Sequence, residues 1–534
     1  MALQPSPFHS LVPLELIVCV LGFLDAKSLS RCAQTCRGLH AVVRDTKALQ
    51  YIGNLAIFGL HDGNPDLYPL HQRKSMLSRH STAWKQLAWT HHDRMTVPLR
   101  GASACDLYGD LLAYSTGERA IQFIRMPSIL RQVQGVQWEH QYEFEPFDFA
   151  VDPSCDLIIL VEALGLNEYF RDAYRIHLRC LGSGEPHPLA AVSEEMTHHE
   201  LSFDLIEDEV GMDIQIHGDY FGILFDDEDA GSEIVVWNWK TGNLELKFTQ
   251  SWVQSFAFLD ETHILVAVTV SPTASWTGPS VRVYQLTGAS LRDINDESTL
   301  CTTLALPLTY ANPSDCQLII HSRPQPRHQP VRGPFSIADS EDRLVIIQYM
   351  LDRYDDEERK VFTFVTRAKL ISSLLPMDAS CERWGAILPW DHWRHHTRLL
   401  GDTPPPRWMH HTHGMRYIFP APLEFDGVVM ACILDFHPIR IWTAIESPER
   451  DSVMLPESAF APESLMKFKE RWYPRGASNG QLPYRETLVA LPEALQTEGD
   501  VALMLSSDTI IAIQEAPDDL DVNEPSYIVH LLTF

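Results

Sequence analysis

The chain has 534 residues, of which 45% are hydrophobic, 10% aromatic and 21% charged. This is the composition of a globular protein with a sizeable core, and it excludes an intrinsically disordered chain. The formal net charge of −29 is unevenly spread, because residues 1–100 carry +5 and residues 101–534 carry −34. Such an acidic body argues against general nucleic-acid binding, which needs cations that face the phosphates.

The cysteines and the most apolar N-terminal stretch indicate the compartment. Ten cysteines are scattered without a CxxC pair, which predicts free or buried thiols in a reducing environment. The apolar stretch from Leu11 to Leu24 has no basic residue before it and is interrupted by Glu15. It does not have the form of a signal peptide, and about fourteen residues are too few to span a bilayer. We expect a soluble protein of the cytoplasm, the nucleus or both.

The first hundred residues have the periodicity of short helices. A helix that opens at Pro13 has one apolar line at i, i+3, i+4 and i+7, formed by Leu14, Ile17, Val18 and Leu21. A second apolar line lies on a different face and contains Leu16, Val20 and Phe23. A helix that is apolar on two faces must be buried on two sides. In so short a domain, we expect one of those sides to belong to a partner.

Further helices follow this first one. Asp25 predicts a cap for a second helix, whose apolar positions are Leu29, Cys32, Ala33 and Cys36. An interruption at Gly38 leads to a third short piece that contains Leu39, Val42 and Val43. Three short helices bury little surface by themselves, so the unit needs a neighbour. A longer helix from about Arg73 to Trp89 is predicted to connect this unit to the body of the protein.

From about residue 100 the hydrophobic period changes from 3.6 to 2. A turn with Asp or Gly, a strand, a variable gap and a second strand recur at intervals of roughly 40–50 residues, which is typical of β-propeller blades. The paired strands are predicted at 111–114 and 120–124, 157–161 and 174–178, 221–225 and 234–239, 264–268 and 281–284, 344–349 and 361–365, 415–419 and 427–434, and 510–513 and 527–534. We predict an all-β domain, a propeller of six or seven blades, with a pair of β-sandwiches as the alternative.

The N-terminal segment resembles the F-box. Val12–Leu16 matches the family's Leu-Pro-x-Glu opening, Val20–Asp25 matches its helix end with a Leu-Asp turn, and Leu29–Arg37 ends in its Cys-Arg pair. Two positions depart from the pattern, since Val12 replaces a leucine and Leu39 replaces a tryptophan. Both replacements are apolar. The body resembles F-box proteins of mushroom-forming fungi in the segments 148–153 and 176–179.

The resemblance implies an α+β multidomain protein. A three-helix F-box at 8–50 and a helical linker at 51–99 would precede the β-domain at 100–534. In this family the F-box docks onto a Skp-type adaptor and, through it, onto cullin and RING subunits of a ubiquitin ligase. The residues that would contact the adaptor are Pro13, Leu14, Leu16, Ile17, Leu21, Leu24, Leu29, Cys36 and Leu39. The expected function is that of a substrate receptor whose β-domain binds a protein target.

The chemistry of the remaining sequence offers few alternatives. GxSxG, GxGxxG, P-loop and HExxH signatures are missing from the sequence. A His/Trp-rich stretch at 384–413 has no accompanying cysteine or tight carboxylate cluster, so we favour a structural or partner-contacting loop over a metal site. We expect no cofactor, no metal and no enzymatic activity. An F-box–adaptor complex without a ligase role, or a propeller enzyme with catalytic groups at the central channel, are the alternatives.

Overall fold

The computed structural model of the chain describes most of the sequence, in segments. They are residues 12–64, 66–97, 105–116, 118–128, 131–164, 173–191, 194–203, 210–227, 231–249, 253–269, 278–286, 299–307, 316–323, 333–337, 342–351, 360–376, 385–401, 403, 411–421, 429–438, 440, 453–454, 482–496, 501–515 and 527–534. Within these segments, no helix combines the length and the hydrophobicity that crossing a membrane requires.

In the described part of the chain, five helices and two strands precede the β-domain. They are α1 (Leu14–Leu21), α2 (Ala26–Thr35), α3 (Arg37–Asp45), α4 (Lys47–Phe58), β1 (Leu60–Asp62), α5 (Leu70–Gln86) and β2 (His91–Val97). Asp25 caps α2 as predicted, because its carboxylate accepts a hydrogen bond of 2.6 Å from the backbone N–H of Ser28. The break before α3 lies at the extended residue Cys36, whereas the predicted interruption at Gly38 is wrong, since Gly38 lies inside α3.

The β-domain consists of seven antiparallel sheets, which we number as blades in chain order. Blade 1 contains β3 (Cys105–Tyr108), β4 (Leu111–Ser115), β5 (Ala120–Arg125) and β6 (Val136–Gln141). Blade 2 contains β7 (Asp148–Asp152), β8 (Leu157–Ala163), β9 (Ala173–Cys180) and β10 (His198–Glu200), after the short helix α6 (Glu194–Thr197). Blade 3 contains β11 (Gly211–His217), β12 (Tyr220–Asp227), β13 (Gly231–Asn238) and β14 (Leu244–Thr249).

Blades 4 to 6 carry additional elements. Blade 4 contains β15 (Val253–Phe258), β16 (His263–Val268), β17 (Ser280–Gln285) and β18 (Leu300–Ala305). Blade 5 contains β19 (Cys316–His321), β21 (Leu344–Leu351), β22 (Lys360–Arg367) and β24 (Thr397–Gly401). Between β19 and β21 lies β20 (Phe335–Ile337). Between β22 and β24 lie α7 (Ala368–Leu374), β23 (Ala386–Leu388), α8 (Trp390–Trp393) and a 3₁₀ turn (Arg394–His396). Blade 6 contains β25 (Thr412–His413), β26 (Arg416–Ala421), β27 (Met430–Asp435), β28 (Val453–Met454) and β29 (Tyr484–Ala490). Strand β23 extends blade 4 in parallel.

The seventh blade joins the two ends of the β-domain. After a 3₁₀ turn (Glu493–Leu495), it contains β30 (Val501–Leu505), β31 (Thr509–Glu515) and β32 (Tyr527–Thr533), and its outer strand is β2. The pairing of β32 with β2 runs from His91 opposite Thr533 to Val97 opposite Tyr527. Residues 91–97 were predicted as part of a helical linker, but they form a blade strand. The ring is closed by a strand from the N-terminal region.

The predicted repeat is confirmed as a seven-bladed propeller. Each predicted pair of strands corresponds to two neighbouring strands of one blade, from β4 and β5 in blade 1 to β31 and β32 in blade 7. Seven hydrophobic cores lie between consecutive blades, and the last of them joins blade 7 to blade 1. Such a closed ring of cores excludes a pair of β-sandwiches.

The alternation of side chains along β8 shows how the ring is built. Leu157, Ile159 and Val161 pack against blade 3, whereas Ile158 and Leu160 pack against blade 1. Successive residues of a strand point to opposite faces, and both faces of a blade are covered by its neighbours. A propeller strand therefore needs a continuous apolar run.

The first strands of consecutive blades lie side by side around a central channel. In blades 1 and 2, the Asp106 carboxylate accepts a hydrogen bond of 3.0 Å from the backbone N–H of Val151. In blades 3 and 4, the Gln215 side chain donates a hydrogen bond of 2.8 Å to the carbonyl of Phe256. Polar side chains on these inner strands thus link neighbouring blades where the apolar cores end.

Candidate functional site

The predicted F-box has a complete core of its own. Its buried residues are Ile17, Leu21, Leu29, Val42 and Leu49, each of which is at most 9% exposed. Ile17 and Leu21 are one helical turn apart on α1, so this line of α1 faces α2, α3 and α4. Ile17, Leu21 and Leu29 were predicted as adaptor contacts. In this structure they are buried in the helical core, and their contact with an adaptor stays a prediction.

The second apolar line, formed by Leu16, Val20 and Phe23, is exposed, and so is Leu14 of the first line. Leu14 is 54% exposed, Leu16 56%, Val20 64% and Phe23 87%. We call these four side chains the apolar patch. Leu14 and Leu16 were predicted as contacts, and the exposed Pro13 precedes them. Val20 and Phe23 were missing from the predicted contacts, although the second apolar line of α1 contained them. Several large apolar side chains exposed on one short helix and the residues after it are typical of an interaction surface.

The three remaining predicted contacts are half-buried at the edge of the helical core. Leu24 and Leu39 pack against the core. The thiol of Cys36 accepts a 3.4 Å hydrogen bond from the backbone N–H of Leu39, which caps α3. Cys36 therefore has a structural role in this chain, in addition to any contact with a partner.

Helix α4 belongs to two cores at once. Leu49, near its start, is buried in the N-terminal helical core. Tyr51 and Leu55 are buried with Met76 and Leu77 of α5 and with Phe335 of β20. The predicted boundary between residues 50 and 51 thus falls inside a continuous helix. One continuous helix thus joins the core of the N-terminal helices to the core that α4 shares with α5 and β20.

A small sheet ties the end of α4 to the propeller. Gly59 ends α4 with a φ of 64°, a left-handed conformation that glycine adopts without strain. Strand β1 then pairs with β20, and the backbone N–H of Gly63 donates a 3.0 Å hydrogen bond to the carbonyl of Pro334. A Cβ atom at Gly63 would lie 2.4 Å from the carbonyl oxygen of Gly333. Only glycine allows the connector to approach the propeller this closely.

Helix α5 packs along blades 6 and 7. The ring of Trp84 lies 4.2 Å from that of Phe534 between centroids. On the ring of Trp84 sits the guanidinium of Arg416, 4.0 Å from the centroid. One turn earlier, the Nε2 atom of His80 is 2.6 Å from the Oδ1 atom of Asp508, in the turn between β30 and β31. Helix α5, which connects the F-box to the β-domain, is thus packed against the propeller.

Family comparison identifies the helical unit. Residues 9–49 match the family model described as F-box-like. These residues are an F-box-like domain. The match spans a small part of the chain, and no curated protein matches the sequence as a whole. The assignment of the body therefore rests on its strand pairing, which gives an F-box followed by a seven-bladed β-propeller.

Solved structures of low similarity accompany this match. The polysaccharide lyase Uly1 is 9% identical, with 82% of this chain and 91% of that chain covered and a TM-score of 0.36. An uncharacterised protein from Listeria monocytogenes EGD-e is 8% identical, with 65% and 80% covered and a TM-score of 0.31. Sqt1 from Chaetomium thermophilum is 11% identical, with 80% of each chain covered and a TM-score of 0.30. Values this low carry no functional inference.

A buried group of ion pairs around Asp508, which we call the joint, holds helix α5 against the propeller. Asp508 pairs with His80 of α5 and with Arg131 of blade 1. Burial opposes ionisation of Asp508, but the pairing with Arg131 and the hydrogen bond from His80 outweigh it and hold the pKa of Asp508 well below its usual value. Burial lowers the pKa of His80. A neutral His80 therefore donates to an anionic Asp508.

Removing this carboxylate should destabilise the protein strongly. We expect Asp508→Asn to lower the free energy of unfolding by about 3–5 kcal/mol, because it leaves Arg131 buried without its counter-charge. Asp219→Asn is the matched control, since its exposed pair with Lys240 is worth about 1 kcal/mol or less. Urea denaturation measures both variants, and equal effects would contradict the joint.

Acid should weaken the same joint. The depressed pKa of Asp508 means that its contribution is present above the ordinary pKa of an aspartate and is lost as the pH falls through the folded value. Protonation of His80, whose pKa is also depressed, opposes folding in the same direction. Melting temperatures of the wild type should therefore fall more steeply than those of Asp508→Asn once the pH drops below about 4, because the His80 contribution is common to both proteins. Parallel curves would contradict this reading.

Two tryptophans of the His/Trp-rich stretch belong to the core of the propeller. Trp390 and Trp393 are buried in the core between blades 4 and 5, and the indole N–H of Trp393 donates a 3.1 Å hydrogen bond to the carbonyl of Ala305. Burial lowers the pKa of His413 to about 4. Trp384, Trp408 and His410 lie outside the described residues. Among the described residues, no group of three or more His, Cys, Asp or Glu side chains could hold a metal ion.

Proposed function

We propose that this protein is the substrate receptor of a cullin–RING ubiquitin ligase. The F-box binds a Skp-type adaptor through the apolar patch, and the propeller binds a protein target. The architecture of an F-box followed by a propeller fits a substrate receptor, and the family match supports the adaptor as partner. The observation that carries the proposal is the patch itself, because the F-box fills its own core and still exposes four large apolar side chains.

The physical drive for docking follows from that exposure. Burial of apolar surface is favourable by roughly 25 cal/mol per Å². Phe23 and Val20 are 87% and 64% exposed, so an adaptor that covers them would bury most of their side-chain surface. The exposed charged residues of α2 and α3 are mostly basic: Lys27, Arg31, Arg37 and Arg44. This composition favours an adaptor surface that is apolar at its centre and acidic at its rim.

In this proposal the protein itself catalyses nothing. It holds the target near the ubiquitin carrier and so converts a bimolecular transfer into a local one. The continuous helix α4 and the buried joint at Asp508 support this role, because they fix the position of the F-box on the ring. The free thiols of the nine cysteines in the described residues accord with a location in the cytoplasm, the nucleus or both.

The test compares the full chain with the patch variant Leu16→Glu/Phe23→Glu by affinity purification. We expect adaptor, cullin and RING subunits with the wild type alone, and target proteins with both chains. Ubiquitin transfer to those targets should require the intact patch. Recovery of the adaptor without cullin would point to a complex without a ligase role, and turnover of a substrate by the chain alone would point to an enzyme.

A further inference from the structure

The central channel contains an excess of carboxyl groups. Asp106 on β3, Asp148 on β7 and Asp213 on β11 lie on the first strands of blades 1, 2 and 3. Arg323, which follows β19, forms an ion pair with Asp106. Burial, with repulsion from Asp106 and Asp213, raises the pKa of Asp148 well above its usual value. One guanidinium thus faces three carboxyl groups from three blades.

Two acceptors in this cluster lack a donor. Gln215 lies two residues after Asp213 on the same face of β11 and is 7% exposed. Its amide nitrogen donates to the Oδ2 atom of Asp213 at 3.0 Å and to the carbonyl of Phe256 at 2.8 Å. Among the described residues, neither the Oε1 atom of Gln215 nor the Oδ1 atom of Asp213 has a hydrogen-bond partner, and both atoms are buried.

The pKa of Asp213 also indicates that its surroundings lack a positively charged donor. Burial raises the pKa of Asp213 to about 6, although Gln215 and Arg323 act in the opposite sense. The anionic form is therefore under-compensated by its surroundings. Asp213 is half-buried, and the side chain of Arg323 is 22% exposed. Solvent therefore reaches these two members of the cluster, while Asp106, Asp148 and Gln215 are buried. What this arrangement lacks is a donor that also carries positive charge.

We propose that Asp213 and Gln215, with Asp106 and Asp148 beside them, form a binding site for the cationic side chain of a lysine or arginine presented by a bound protein. An ammonium or guanidinium group has several N–H donors, so it can satisfy both acceptors and balance the charge of Asp213 at once. A neutral donor would satisfy the acceptors without balancing the charge. A metal ion fits less well, since no metal-binding group was found among the described residues.

The site is tested on the full chain with three small probes and isothermal titration calorimetry. The cationic probes are N-acetyl-arginine methylamide and N-acetyl-lysine methylamide, and the neutral isostere is N-acetyl-citrulline methylamide. We expect one of the cationic probes, or both, to bind in roughly the millimolar range and at least about tenfold tighter than the citrulline probe. The two cationic arms show which side chain the site prefers.

Two variants locate the binding. Asp213→Asn keeps the size of the side chain and removes a poorly compensated charge, so we expect it to fold and to lose at least about tenfold in affinity. Gln215→Leu removes the second acceptor at similar volume and should also weaken binding. Glu139→Gln, on the exposed outer strand of blade 1, is the matched control and should bind as the wild type does.

Three results would overturn the site: no binding of either cationic probe, equal binding of the citrulline probe, or wild-type affinity in both Asp213→Asn and Gln215→Leu. If Asp213→Asn does not fold, the citrulline comparison and Gln215→Leu decide the question. The site goes beyond adaptor docking and does not depend on it. Adaptor binding is measured separately at the apolar patch, so failure of one proposal leaves the other intact.

Discussion

Replacing Leu16 and Phe23 together by glutamate should weaken adaptor binding by at least about a hundredfold, since each lost contact is worth about 1.4 kcal/mol or more. Both side chains are more than half exposed and lie outside the F-box core, so the fold should survive the change. Each glutamate would also have to be desolvated at the interface. Titration of purified adaptor gives the dissociation constants, and circular dichroism is the folding control.

The matched control changes two leucines of similar exposure outside the F-box. Leu67 is 66% exposed in the loop before α5, and Leu189 is 62% exposed in blade 2. The double variant Leu67→Glu/Leu189→Glu adds the same charge and should bind the adaptor with wild-type affinity. Pro13→Ala with Leu14→Glu examines the other end of the apolar patch. If the Leu16/Phe23 variant stays folded and binds normally, the docking surface lies elsewhere on the F-box.

A chain that begins at residue 98 should aggregate, or melt roughly 5 °C or more below a chain that begins at residue 88. Both lack the F-box and most of the connector, but only the shorter one lacks β2. Without β2, the strand β32 becomes an open edge of blade 7, and open edges pair with other chains. Val97, which is 1% exposed in the intact ring, also loses its place in the core between blades 7 and 1.

Scanning calorimetry and light scattering measure these two truncated chains. Comparing them with each other, and not with the wild type, separates β2 from the burial of Trp84 and Leu87 between blades 6 and 7. The sequence alone predicts a β-domain that begins at residue 100. The pairing of β2 with β32 argues against this. Equal melting temperatures and monomeric scattering in both chains would show that β2 is dispensable for closure.

The strands that could be predicted are those buried on both faces. β8 begins with five consecutive apolar residues, Leu157–Val161, because one set faces blade 3 and the other faces blade 1. β2 gave no such signal, since six of its seven residues are exposed or half-buried and it contains two histidines, an aspartate and an arginine. Its conformation is imposed by the hydrogen-bonding edge of β32. Sequence periodicity reflects the burial of side chains, whereas backbone hydrogen bonding between two strands leaves no such pattern in the sequence.

The F-box was predicted from its motif, but the motif did not show which apolar face of α1 is buried and which is exposed. Ile17 and Leu16 are both aliphatic neighbours on α1, and only the packing of the other helices shows that the first is core and the second is exposed. The joint between His80 and Asp508 could not be predicted either, because 428 residues separate the two along the chain. Contacts of this kind depend on the closed ring, which no local pattern encodes.

The pairing of β2 with β32 also sets an order of events during synthesis. About 430 residues lie between the end of β2 and the start of β32, so a ribosome that adds 5–20 residues per second needs roughly 20–90 seconds to produce the closing strand. The F-box emerges and can fold well before that moment, while the propeller is still an open series of blades. Under the proposed function, an adaptor could therefore bind the nascent chain before the ring is closed, and it would meet a receptor that holds no target.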